Sequence, residues 1–165
     1  MPELPEVETV CRQLDSELRG VKVEALEVLD PRWCRPTSPD ELERAVRGAT
    51  IDGLGRRGKY LLLRLDGDRT LVMHLRMTGN LVLVAAEGKL DPSEGRRLYE
   101  GERSTFDRHL RARFRLGGGC ELLFTDPRRF GEAFLVENTR LADRFAKLGV
   151  EPLSAAPRDG SPLSA

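Results

Sequence analysis

Little in this chain is of the kind that decides a protein class at once. Cysteine is scarce: Cys11, Cys34 and Cys120 are three in 165 residues. No two of them have C-x-x-C spacing, so they make neither a disulfide framework nor a zinc site. Aromatic residues are only 5% of the chain. No apolar run approaches the length that spans a bilayer, and the acidic N-terminus lacks the basic-then-apolar order of a secretory signal. Net charge is missing too, with Lys+Arg and Asp+Glu both at 27. Bulk charge therefore makes no case for a nucleic-acid partner, and only its distribution can. These absences predict a soluble, intracellular, cytoplasmic protein with reduced thiols, and the length suits one domain with its own core.

What is present reads as a mainly β domain with flanking helices. Val7, Val10, Cys11, Leu14 and Leu18 form one apolar stripe, which predicts a helix over 5–19 with Pro5 in its first turn and Gly20 as its stop. "VKVEALEVL" (21–29) alternates as a strand does, and "DPRWCRPTSP" reads as a loop. Ser38, Pro39 and Glu41 make a capping box before a short helix over 38–48. From residue 50 onward the chain turns to β. Strands are predicted at 59–65, 70–75, 80–84, 111–116, 120–125 and 132–136, separated by turn residues such as Thr78-Gly79-Asn80 and Gly117-Gly118-Gly119. Short antiparallel strands at this spacing predict a two-sheet antiparallel β-sandwich, or flattened barrel. A closing helix is expected over 139–149. Residues 86–108 form a long polar connection of either mobile or functional kind, and the small polar tail reads as disordered.

Four constellations have chemical potential, each with a plainer structural reading beside it. "MPELPEVETV" places Pro2 behind the initiator Met with Glu3 and Glu6 near it. If Met1 is trimmed, Pro2 presents a secondary amine that titrates far below a lysine, and the positive end of a following helix lowers it further. Such an amine attacks electrophilic carbon near neutrality; equally, Pro and Glu are ordinary helix starters. Lys59 in "RRGKYLLLRL" stands in line with apolar residues, either snorkelling at the strand end or aimed at a phosphate or a proton. In "MHLRMTGN", His74 sits among core-type residues, and Met77 lies on a turn tip, either tucked inward or offered as a wedge between base steps. Finally, residues 103–130 hold seven arginines against three acids, net +4 in a neutral chain. Arg111, Arg113 and Arg115 alternate with His109 in phase, which is either a phosphate-reading row or a solvated sheet face. "TDPRRFG" sets Arg128, Arg129 and Phe130 on a turn suited to insertion into stacked bases.

Taken together, "PELPEVETV" (2–10), "RRGKYLLLRL" (56–65), "HLRMTGNL" (74–81), "TDPRRFG" (125–131) and "KLGVEPLS" (147–154) resemble the bifunctional formamidopyrimidine-DNA glycosylases, in that family's order and along almost the whole chain. The resemblance implies a base-excision repair enzyme, a DNA glycosylase with AP lyase activity, that removes 8-oxoguanine and formamidopyrimidines. By matching positions it implies Pro2 as Schiff-base nucleophile, Glu3 as proton donor, Glu6 as an ordering group of the catalytic set, and Lys59 as proton donor and phosphate contact. It implies His74 and His109 as DNA contacts, and Met77, Arg128 and Phe130 as the residues that fill the gap left by a flipped nucleotide. Flipping is needed because the reacting sugar is unreachable inside a stacked duplex. The partner implied is damaged double-stranded DNA, met by a monomer away from any membrane. The related endonuclease VIII group, which favours oxidised pyrimidines, starts differently after its second residue.

The family continues past "LGVEPLS" into a helix–two-turn–helix domain and a four-cysteine zinc finger. The expected division is therefore a catalytic domain over 1–153 and a tail or linker over 154–165. Zinc is expected only in the finger, and no metal or other cofactor within these residues. A half-cleft makes few phosphate contacts, so the 165 residues alone are expected to bind DNA weakly and turn over little.

Overall fold

The computed structural model of the chain describes residues 4–76, 79–84, 109–128 and 131–149, with the side chains of residues 4–7 and 10 outside that description. Two antiparallel four-stranded sheets form a sandwich. One has the order β1 (Val23–Val28), β6 (Leu110–Leu116), β7 (Glu121–Thr125), β5 (Asn80–Val84); the other has β2 (Ile51–Arg57), β3 (Tyr60–Leu65), β4 (Arg69–His74), β8 (Glu132–Glu137). The main core lies between them, built on Leu61, Leu63, Leu71 and Met73 from one sheet and Ala112, Phe114, Leu122 and Phe124 from the other. The sandwich expected from the strand pattern is what forms, with two separate sheets. The expected 86–108 connection and the tail lie outside the described residues.

A helix covers one edge strand of each sheet, and in both cases a carboxylate satisfies an edge N–H. The first helix, α1 (Leu4–Leu18), buries Cys11, Leu14 and Leu18 of the predicted stripe. Its Asp15 accepts the Leu54 N–H of β2 at 2.7 Å. The short helix α2 (Pro39–Val46) starts as its capping box predicts, with the Ser38 hydroxyl accepting the Glu41 N–H at 3.2 Å, and its Glu43 accepts the Val28 N–H of β1 at 2.8 Å. Covering an edge in this way removes a template for pairing with another chain.

Two segments differ from the sequence expectation. Strand β2 is absent from it because "IDGLGRR" has two glycines and little alternation. The register slips between Ile51 and Gly53, and a Cβ on Gly53 would meet Asp15 at 3.0 Å and Arg64 at 3.2 Å. The strand pairs with β3 from Ile51 to Arg57 while α1 packs closely on it. The expected loop at 30–39 instead contains a turn of 3-10 helix (Pro31–Cys34), capped by Asp30, that sends Trp33 and Cys34 inward. Trp33 meets Phe124 edge-on at 5.3 Å and Phe114 at 6.4 Å.

The second sheet is buried on both faces. On its outer side Leu62, Val72 and Val136 pack around Phe145 of the closing helix α3 (Leu141–Lys147), with Tyr60, Phe134 and Leu141 beside them. The Arg57 guanidinium lies 4.7 Å from the centre of the Phe145 ring, and that of Arg144 lies 4.0 Å from Phe134. A strand buried on both faces loses its alternation, which is why Leu61, Leu62 and Leu63 are all inaccessible. Among the described residues no helix is long and apolar enough to cross a membrane.

Candidate nucleic-acid interface

Strand register brings distant parts of the sequence to one rim of the sandwich. Tyr60 opposes His74, and His74 opposes Glu132. In the other sheet, Asn80 opposes Thr125, which also opposes Leu110. The β2–β3 turn with Lys59, the crossing from β4 to β5, the start of β6 at His109 and the crossing from β7 to β8 therefore share one end. The first half of α1 comes there too, because Glu8 pairs with Arg56 near the end of β2, whereas Gly20, just past the helix, bonds Ile51 at the strand's far end.

The two crossings are tightly built. In the first, Gly79 donates its N–H to the Leu75 carbonyl at 2.8 Å, and a Cβ on Gly79 would lie 2.5 Å from that oxygen. Only glycine closes this turn without displacing backbone. In the second, the fully buried Asp126 organises the loop: its carboxylate accepts the backbone N–H of Arg128 at 3.2 Å and that of Gly131 at 2.5 Å. Its own N–H goes to the His109 carbonyl at 2.9 Å. Arg76 and Glu132 form an ion pair that ties the two crossings together.

His74 occupies the last position of β4, partly buried, with its ring edge-on to Tyr60 at 4.5 Å. Its Nδ1 accepts the backbone N–H of Arg76 at 2.8 Å. Arg76 holds a left-handed backbone, φ 55°, at the entry to the crossing. Burial, with the nearby charges of Arg76 and Lys59 adding to it, lowers the His74 pKa to about 4. The ring is thus neutral near pH 7, and because Nδ1 accepts, the proton sits on Nε2, which is a donor.

Of the residues singled out in the sequence, the structure brings Lys59, His74, His109 and Arg128 to this rim, and the backbone of Glu6 lies in α1 two residues before Glu8. Pro2, Glu3, Met77 and Phe130 lie outside the described residues. The three arginines of the row do not share one environment. A bulge between Leu110 and Ala112 breaks the alternation, so Arg111 is buried and its Nε donates to the Asp126 carbonyl at 2.9 Å. Arg113 is held by Glu27 and Glu121, and Arg115 by Glu27. Cross-strand acids thus lie beside Arg113 and Arg115. Three residues without an assigned role in the sequence reading prove structural to the rim: Arg56, Arg76 and Asp126. The "RRGK" and "TDPRRFG" runs contained the first and third, but no local pattern marks their bonding.

Among the described residues no three His, Cys, Asp or Glu side chains gather as a metal site. Cys11 and Cys34 are buried apart, and burial pushes the Cys11 thiol up to about 12.

An antiparallel sandwich with two crossings, a lysine turn and the first half of a helix on one rim gathers Lys59, His74, His109 and Arg128 at its strand ends. Residues 1–133 match the family model of the formamidopyrimidine-DNA glycosylase N-terminal domain, and the chain belongs to that family. Formamidopyrimidine-DNA glycosylase of Pelotomaculum thermopropionicum is 42% identical over 155 residues, covering 93% of this chain and 50% of the relative. That of Chloroflexus aurantiacus is 42% identical over 156 residues, covering 94% and 50%. The chain spans about half the length of these curated relatives. Among solved structures, wild-type Lactococcus lactis Fpg in complex with a N7-Benzyl-Fapy-dG containing DNA has a TM-score of 0.75 at 30% identity, covering 92% of this chain and 49% of that one. A complex of Lactococcus lactis Fpg with abasic site containing DNA has a TM-score of 0.71 at 30% identity, covering 88% and 48%.

Proposed function

We propose that this chain is the catalytic portion, over about residues 1–153, of a DNA glycosylase with AP lyase activity that removes oxidised purines from duplex DNA in the cytoplasm. The observation that carries the reading is the shared rim. Strand register sets Lys59, His74, His109 and the Arg128 loop at the end toward which α1 begins.

In this reading Pro2, freed of Met1, attacks C1′ of the lesion nucleotide through its nitrogen. The C1′–N bond to the base breaks, and the base leaves with a proton from the acid set, Glu3 in the first place. The Pro2 nitrogen loses its proton, the C1′–O4′ bond opens as O4′ takes up a proton, and the iminium so formed withdraws electrons from C2′ and makes its proton removable. Loss of that proton and cleavage of the C3′–O bond expel the 3′ phosphate. Glu6, on the first turns of α1, orders the acid set. Lys59 engages phosphate and serves the proton transfers of strand cleavage. His74 meets a phosphate as a neutral Nε2 donor, and His109 is a second DNA contact. Met77, Arg128 and Phe130 fill the vacated stack, which offsets the unstacking that flipping costs. The two braced crossings support this, since a wedge works only when its base does not yield.

Borohydride trapping on an 8-oxoguanine duplex tests the reading. With a trimmed N-terminus a covalent protein–DNA adduct is expected, and with Met1 retained none. Absence of adduct from the trimmed full-length protein refutes the nucleophile. A lesion panel separates the purine reading from the pyrimidine preference of the endonuclease VIII group. Because the chain spans half its relatives' length, the isolated 165 residues are expected to bind weakly and turn over little; robust excision by them would contradict this.

A further inference from the structure

We infer that Arg56 is a positioning residue that locks the first half of α1 to the Lys59 turn. Its Nε donates to Glu8 of α1 at 2.5 Å, and its Nη1 donates to the Gly58 carbonyl at 3.1 Å. One planar guanidinium thus holds the helix and the turn at a fixed separation, a task suited to a rigid fork of donors. Gly58 has φ 61°, a left-handed conformation that makes the two-residue turn between Arg57 and Tyr60 and sets the exit direction of Lys59. Arg12 closes on the other Glu8 oxygen at 2.9 Å. The arginine bonds hold the Glu8 carboxyl below its ordinary range against the opposing effect of burial, so the clamp stays charged at working pH.

The inference rests on the proposed function. If Pro2 reacts at the sugar while Lys59 serves the adjoining phosphate, their separation decides the rate. They stand 57 positions apart in the sequence, and Glu8–Arg56–Gly58 is a direct polar connection between α1, whose first residue comes two positions after Pro2, and the turn that bears Lys59. Misplacement of reacting groups by an ångström costs on the order of a hundredfold in rate, while DNA affinity, spread over many phosphates, changes little.

The test uses the full-length protein with a trimmed N-terminus. Single-turnover borohydride trapping on an abasic duplex is measured at saturating protein for wild type, Arg56→Met, Arg56→Lys and Glu8→Gln. Affinity is measured separately on a duplex with a tetrahydrofuran analogue, and folding by urea denaturation. The expected result is a trapping rate reduced on the order of ten- to a hundredfold in Arg56→Met, with Kd within about threefold and partial recovery in Arg56→Lys, which keeps the charge at Glu8 but not the second bond. If Arg56→Met fails to fold, Glu8→Gln carries the comparison. Wild-type trapping with unchanged rates in the variants overturns the role of Arg56 alone, as does a loss of affinity equal to the loss of rate. A wild type that never traps overturns the proposed function as well.

Discussion

The Asp126 carboxylate accepts the backbone N–H of Gly131 at 2.5 Å, closing the crossing between β7 and β8 over a space that admits no side chain. A Cβ on Gly131 would lie 2.5 and 2.6 Å from the Phe124 ring and 3.0 Å from Asp126. Phe124 is itself pinned by Trp33 in the core, so the ring has little room to retreat. Gly131→Ala is therefore expected to destabilise the domain by about 1–3 kcal/mol, the usual cost of overpacking, as read by urea denaturation. Stability equal to wild type would show that the crossing yields more than its packing implies.

Protonation of His74 should couple to folding. The ordinary histidine pKa is 6.5, and the folded value is about 4. Above pH 6.5 the ring is neutral in both states and its contribution to stability is complete. As pH falls from 6.5 towards 4 the unfolded chain takes up a proton that the native chain refuses, so the contribution is lost across that window. Between pH 7.5 and 5 the wild type should lose about 1 kcal/mol more than His74→Gln, a figure reduced from the full linkage value because the ring is partly open to solvent. Parallel pH dependences in the two proteins would contradict the buried neutral ring.

Salt dependence of DNA binding tests which arginines meet phosphate under the proposed function. Arg113 and Arg115 are engaged by Glu27 and Glu121. In the full-length protein, changing both to Gln should leave the slope of log K against log salt within experimental error. Arg128, exposed on the loop that Asp126 organises, should behave otherwise: Arg128→Gln is expected to reduce the slope by about one. A large change from the first pair would return the sheet face to the interface.

Local patterns decided much of this protein. Ser38 caps α2 where the capping box places it, and the apolar runs of β3, β4, β7 and β8 became strands near their predicted bounds. The family was legible because five motifs occur in order. The strand β2 was not, because its evidence is a contact: Asp15 bonds Leu54 across 39 positions. Trp33 stood in an apparent loop, and only its packing on Phe114 and Phe124 reveals a core residue. The arginine row had the right period for one face, but the burial of Arg111 beside a bulge and the acids that meet Arg113 and Arg115 from neighbouring strands are contacts that no local period shows.

The sequence by itself determined most of the elements and turns and the residue types available for chemistry, since periodicity, capping and the φ preference of glycine act over a few residues. Tertiary structure alone decided which of those residues stand together. Register placed Lys59, His74 and the Asp126 loop on one rim, and Arg56 reached Glu8 across 48 positions. Such pairings follow from which edges and faces remain to be covered after the strands have paired, a property of the whole chain that no short stretch contains.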